Sequence, residues 1–182
     1  MQTVAYSEEG KRRVLFVCIG NSCRSQMAEG FARKYGSDVM EAFSAGVAPA
    51  SIVQPLTQEV MEQKNIGLDG QHPKHYSMFD LSTFDLIVNM SGSRLPGRTS
   101  GEVREWKVVD PIGRSEDVYL SVRDDIEASV MRLILELRSG RTPATRSPEA
   151  GTPATPVPET RRPEKRETPE HGSSPFRMGR RR

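Results

Sequence analysis

Cys18, Arg24, Ser25 and Asp110 are the side chains of this chain whose types and spacing can act together on one ligand. Five residues separate Cys18 from Arg24, and Ser25 follows at once. A tetrahedral oxyanion gives each of them a task. The planar fork of Arg24 can pair two oxygens at a time, which a lysine cannot do in the same way. Cys18 offers a sulfur nucleophile whose ionised form is favoured when positive groups face it. Ser25 can donate a hydrogen bond to that sulfur, both as it attacks and as it later leaves. Asp110, stiffened by Pro111 just after it, is a carboxyl able to hand a proton to a departing oxygen. On residue types alone, Cys18 also fits a small buried hydrophobe and Asp110-Pro111 also fits a plain turn.

These groups need elements that bring them to one place. The apolar run from Arg13 to Cys18 reads as a buried strand, and Met27, Ala28, Phe31 and Ala32 recur at helical spacing from Arg24 to Tyr35. Between them lies a loop with Gly20 and Asn21, residue types that accept the left-handed backbone angles of an amide nest. A loop opening a helix points N–H groups at one spot, with the helix dipole behind them. Further strands are expected at Val39–Ser44, Leu86–Met90 and Val108–Val109, a second helix at Pro55–Lys64, and a long amphipathic helix from Val118 to Leu137 that Gly140 ends. Strands alternating with helices imply an α/β fold with a parallel sheet wrapped on both faces. Its ligands would lie beyond the carboxyl ends of the strands, where Cys18 and Asp110 both fall.

The 182 residues divide by composition. Residues 1–11 read as a flexible arm and residues 12–140 as one domain, and residues 1–140 together carry 16 basic and 19 acidic side chains. Residues 141–182 carry 10 basic and 5 acidic side chains and eight of the thirteen prolines. That last stretch is too poor in large apolar residues to offset its ordering entropy, and reads as a disordered Pro/Arg/Glu/Thr-rich tail. No apolar run has the length of a membrane span and no signal-peptide pattern stands at the start. Two cysteines in one loop make no extracellular disulfide framework, so a cytoplasmic, reducing location is expected. No cysteine and histidine set has metal-ligand spacing, no cofactor is implied, and no nucleic-acid or membrane partner is expected for the domain.

The run Val17-Cys18-Ile19-Gly20-Asn21-Ser22-Cys23-Arg24-Ser25-Gln26-Met27-Ala28-Glu29-Gly30 resembles the phosphate loop of the low-molecular-weight protein-tyrosine-phosphatase superfamily. Its form is similar above all to the superfamily's arsenate reductases. The resemblance covers about residues 12–139. It implies a flavodoxin-like, doubly wound, four-stranded parallel sheet. It also implies Cys18 as nucleophile, Arg24 as oxyanion clamp and Asp110 as general acid, with Ile19, Gly20, Asn21, Ser22, Cys23 and Ser25 as the substrate-binding loop. Asn21 would brace the turn.

Within that superfamily the residues point two ways. Hydrolysis through a phosphocysteine would need nothing beyond these groups, and a phosphotyrosine protein or a small aryl or acyl phosphate would be the substrate. Arsenate reduction also needs electrons. The thioredoxin-coupled reductases draw them through a cysteine past the third strand, where this chain has Ser91. An external thiol of glutathione or mycothiol type would have to serve instead. Cys23 either packs in the loop or pairs with Cys18 as a reversible disulfide. Aromatic residues that line a phosphotyrosine entrance after the Asp-Pro are replaced here by Ile112-Gly113-Arg114. Ser91 tips the sequence reading to a phosphatase, with the reductase as the alternative and a non-catalytic oxyanion-binding or phosphoprotein-binding module third.

Overall fold

The computed structural model describes residues 10–95 and 97–140; most of the expected arm and the whole of the expected tail lie outside the described residues. Four strands form the sheet: β1 at Arg12–Cys18, β2 at Met40–Gly46, β3 at Leu86–Asn89 and β4 at Glu102–Glu105. Three helices join them, α1 at Arg24–Tyr35, α2 at Pro55–Glu62 and α3 at Glu116–Arg138. All neighbouring strands run parallel, in the order β2-β1-β3-β4. This is the flavodoxin-like winding that the alternation of elements implies. The order reverses beside β1, so the crevice at its carboxyl end, where Cys18 stands, is the switch point of the sheet.

β1 is central and buried on both faces, which is why its sequence is an unbroken apolar run. Val14, Phe16 and Cys18 face a core shared with α1, α2 and α3, built on Met27, Phe31, Val60, Ile126, Val130 and Ile134. Leu15 and Val17 face the other way, onto Ala45, Leu81, Phe84 and Ile87. Two short 3₁₀ helices, Tyr76–Met78 and Leu81–Thr83, cover that second face. There Phe43, Phe79 and Phe84 meet edge to face, and the Arg13 guanidinium lies over two of the rings. Among the described residues no helix is long and apolar enough to cross a membrane.

The fourth strand departs from the sequence expectation. It lies at Glu102–Glu105, and Val108–Val109 is not strand. β4 is an exposed edge of charged residues, so it carries no apolar signature. Gly101 admits it to the sheet, since a Cβ there would stand 2.2 Å from the Phe84 carbonyl oxygen. Past Trp106, whose N–H still bonds Asn89, the chain leaves the sheet in an extended run. Asp110 therefore sits five residues beyond the strand end rather than on it.

Phe31 is fully buried and stacked on Tyr35 where α1 meets the sheet. Phe31→Ala is expected to cost about 3–5 kcal/mol of stability, read as a fall in denaturant midpoint with an unchanged slope.

Candidate functional site

The loop from Cys18 to Cys23 is held by its carbonyls. The oxygens of Cys18, Ile19 and Gly20 accept the backbone N–H groups of Val47, Ala48 and Ala50 at 3.1, 2.9 and 2.9 Å. Gln26 Nε2 donates to the Asn21 oxygen at 2.8 Å. The Ser22 oxygen accepts the Gln54 N–H at 3.0 Å and Thr57 Oγ1 at 3.2 Å. A trans peptide carries its N–H opposite its C=O. Turning five successive carbonyls outward therefore turns the N–H groups of Ile19 to Cys23 inward, to a common centre. α1 opens at that centre with no side-chain cap and no acidic residue in its first turn. Its free amides and dipole face the same point.

Two positions make this backbone path feasible. Asn21 holds the left-handed conformation at φ 46°. Its Nδ2 donates to Ser25 Oγ and Ser44 Oγ, both at 2.9 Å, and its Oδ1 accepts the Lys74 N–H at 2.8 Å. Gly46 is the second. A Cβ there would come within 2.6 Å of the Ile19 oxygen and 2.9 Å of the Asn21 nitrogen.

Cys18 Sγ lies 3.0 Å from Ser25 Oγ. Because Ser25 already accepts from Asn21, its own proton is left for the sulfur. Arg24 is buried, with Nη1 on the Met90 oxygen at 3.0 Å and the Val108 oxygen at 3.3 Å, and Nη2 on Asp110 Oδ2 at 2.6 Å. The run after β4 is thus drawn to the loop by Arg24, which is how Asp110 reaches the site from beyond the strand. Asp110 Oδ1 in turn accepts the Ile112 N–H.

These groups enclose a cavity of about 230 Å³. It is lined by Cys18, Ile19, Gly20, Ser22, Cys23, Arg24 and Asp110, together with Ala50, Gln54 and Ile112. Every residue singled out from sequence is present in one place, with Asn21 and Ser25 standing behind the wall as braces. The sequence did not point to the Met90 and Val108 carbonyls, to Ser44, or to the segment 46–57 that straps the loop. The small-residue run Ser44-Ala45-Gly46-Val47-Ala48-Pro49 was the available signal for the strap. Among the described residues no cluster of three or more His, Cys, Asp or Glu is placed to hold a metal. The arrangement can seat one tetrahedral oxyanion, put a sulfur on its central atom, and set a carboxyl beside an outer oxygen.

Cys23 differs from Cys18 in setting. Burial pushes its thiol up to about 12 from an ordinary 9.0, with the charges of Cys18 and Asp110 adding, against a Thr57 hydrogen bond and Arg24. The folded chain keeps this proton where the unfolded chain releases it. Cys23 thus favours the fold fully below about pH 9, and that contribution is lost as pH climbs toward 12. Stability by denaturant titration is expected to fall across that window, and Cys23→Ala is expected to flatten the fall relative to the parent chain. For the strap, Gly46→Ala is expected to leave a folded domain whose Cys18-dependent turnover drops about 100-fold, the scale set by displacing reacting groups by an ångström. Circular dichroism and turnover measured on the same preparation check this.

The family described as "Low molecular weight phosphotyrosine protein phosphatase" matches residues 13–142. A glutaredoxin arsenate reductase of Synechocystis is 34% identical over 130 residues, covering 69% of this chain and 98% of its own length. Arsenate reductase 1 of Bacillus cereus is 34% identical over 128 residues, covering 68% of this chain and 95% of its own. A solved arsenate reductase in its phosphate-binding state superimposes with a TM-score of 0.65 at 32% identity, over 69% of this chain and 98% of the other. The family match begins inside β1 and runs past the end of α3, and it includes the whole cysteine loop and the Asp-Pro. This chain belongs to the low-molecular-weight phosphotyrosine protein phosphatase family.

Proposed function

We propose that this chain reduces arsenate, with Cys18 as nucleophile, Arg24 and the loop amides as oxyanion clamp, and Asp110 as proton donor. The observation that carries the reading is the cavity itself. It is about 230 Å³, Cys18 and Arg24 are among its lining residues, and no aromatic side chain lines it. Such a pocket suits a bare inorganic oxyanion and offers no flat wall for a phenyl ring. The relatives that match at 34% identity over nearly their whole length are named arsenate reductases, which supports the same reading. The sequence alone favoured hydrolysis because of Ser91; the walls of the pocket and the relatives weigh against that preference.

The thiolate of Cys18 attacks arsenic while Arg24 and the inward N–H groups hold the remaining oxygens. Asp110 protonates the oxygen that leaves as water. Arsenic is still pentavalent at this point. A thiol then attacks Cys18 Sγ. The new S–S bond forms, the S–As bond breaks, and its electron pair stays on arsenic, which departs as arsenite. A second thiol equivalent restores Cys18. Both cysteines are free in the resting fold, as this cycle requires.

Hydrolysis of a small phosphate ester is the second reading. It is favoured by the place of Asp110 in the cavity lining, where its carboxyl can serve an ester leaving group equally well. Arsenate and an aryl phosphate are assayed side by side, with and without glutathione-type thiols. Thiol-dependent arsenite formation that Cys18→Ser abolishes is the expected result. Aryl phosphate hydrolysis near pH 5–6 without any arsenite would replace this reading with the phosphatase.

A further inference from the structure

The reduction just proposed leaves open which sulfur attacks the Cys18–arsenic adduct, and the inference here rests on that reading. Position 91 offers none. Ser91 is buried, its Oγ donates to Asn89 Oδ1 at 2.7 Å, and it accepts the Ser93 N–H at 3.1 Å. The chain has only two cysteines, and both line the same cavity. We infer that Cys23 is a second catalytic thiol, attacking the sulfur of arsenic-bearing Cys18 to release arsenite and leave a Cys18–Cys23 disulfide inside the loop.

The balance closes within the chain. Cys23 Sγ forms a bond to Cys18 Sγ, the Cys18–arsenic bond breaks, and its electron pair reduces arsenic from the pentavalent to the trivalent state. Two thiols are oxidised and one arsenic is reduced by two electrons. The proton of Cys23 goes to an oxygen of the departing arsenic. An external thiol is needed only afterwards, to open the disulfide.

The setting of Cys23 fits a thiol that waits for substrate. It is 2% exposed, so an external oxidant or alkylating agent meets it only through the cavity. A hydrogen bond with Thr57 favours its ionised form, but burial outweighs that bond and Cys23 rests as a thiol. A protonated Cys23 does not compete with Cys18 for the incoming arsenate. The charge on Cys18 is one of the causes that hold the proton on Cys23, and bonding to arsenic removes that charge from the sulfur. The adduct puts its own anionic oxygens in place of that charge, and these oxygens are the bases that take the Cys23 proton as it attacks.

The test is a single turnover of the full chain, reduced, freed of small thiols under anaerobic conditions and mixed with equimolar sodium arsenate. One arsenite per chain is expected, with loss of both thiols and a cross-link between residues 18 and 23 in the peptide map. Cys23→Ser, with its folding verified by its thermal transition, is expected to lose that burst. Arsenite made only when glutathione-type thiol is in excess would overturn the role of Cys23 while leaving the reductase reading standing. A burst that persists in Cys23→Ser, or a disulfide that joins two chains, would overturn it equally. Absence of arsenite at every thiol concentration would remove the reductase reading itself.

Discussion

The bond from the Ala48 N–H to the Ile19 oxygen, with its neighbours from Val47 and Ala50, is the constraint from which the site follows. Peptide groups are rigid dipoles, and a carbonyl fixed outward leaves its neighbour's N–H no freedom to point anywhere but inward. The strap after β2 thus does more than cover the loop. It sets the polarity of the nest before any anion arrives, so binding needs little rearrangement. The close approach of Gly46 to the Ile19 oxygen and the Asn21 nitrogen is the steric condition for that strap to lie close enough. Asn21 supplies the matching condition from within, tying the loop to Ser25, Ser44 and the Lys74 N–H through one amide.

Arg24 couples this nest to the far half of the sheet. Its guanidinium touches the chain after β3 through the Met90 oxygen and the chain after β4 through the Val108 oxygen and Asp110. Two irregular segments, which no strand pairing would hold, are thereby anchored to the first turn of α1. The same contact fixes the separation between the guanidinium and the Asp110 carboxyl. An oxyanion entering the cavity meets a guanidinium that already bears a carboxylate, so Asp110 is left beside whichever outer oxygen Arg24 grips. Placement of the Asp110 carboxyl is a consequence of placing the arginine.

Much of this was legible from residue order because β1 and α1 are buried and regular. The helix from Arg24 to Tyr35 has the bounds its apolar spacing indicates, and Gly36 closes it with a bond to Ala32. The loop could be read because the residue types that anion binding requires are few. What could not be read were contacts without a side-chain signature. The Met90 and Val108 carbonyls are backbone, and any residue could have carried them. β4 is polar and exposed, so periodicity passed over it in favour of the apolar pair Val108–Val109, whose role is to carry a carbonyl and Asp110 to the loop. The walls of the cavity needed three dimensions, since Ala50 and Gln54 of the strap and the distant Ile112 meet the cysteine loop from separate stretches of chain.

Phosphatase and reductase chemistry start from one adduct, and they diverge in what reaches it next: water at the central atom, or a sulfur at the cysteine. A sulfur delivered from a distant loop requires a loop that can swing. The turn after β3 is built against that motion here. The Asn89 side chain binds the Ser93 oxygen and Glu105, while Ser91 bridges Asn89 and Ser93. Breaking it would leave several buried polar atoms without partners. With that turn knitted shut and carrying no thiol, sulfur chemistry in this fold is confined to the Cys18–Cys23 loop and to whatever thiol can enter the mouth of its cavity. The rim of that mouth is aliphatic, with Ile19 and Ile112 both partly exposed beside the cavity. Choice between the two reactions therefore lies in whether water reaches the central atom or a thiol reaches the cysteine sulfur, and the nest of amides is common to both.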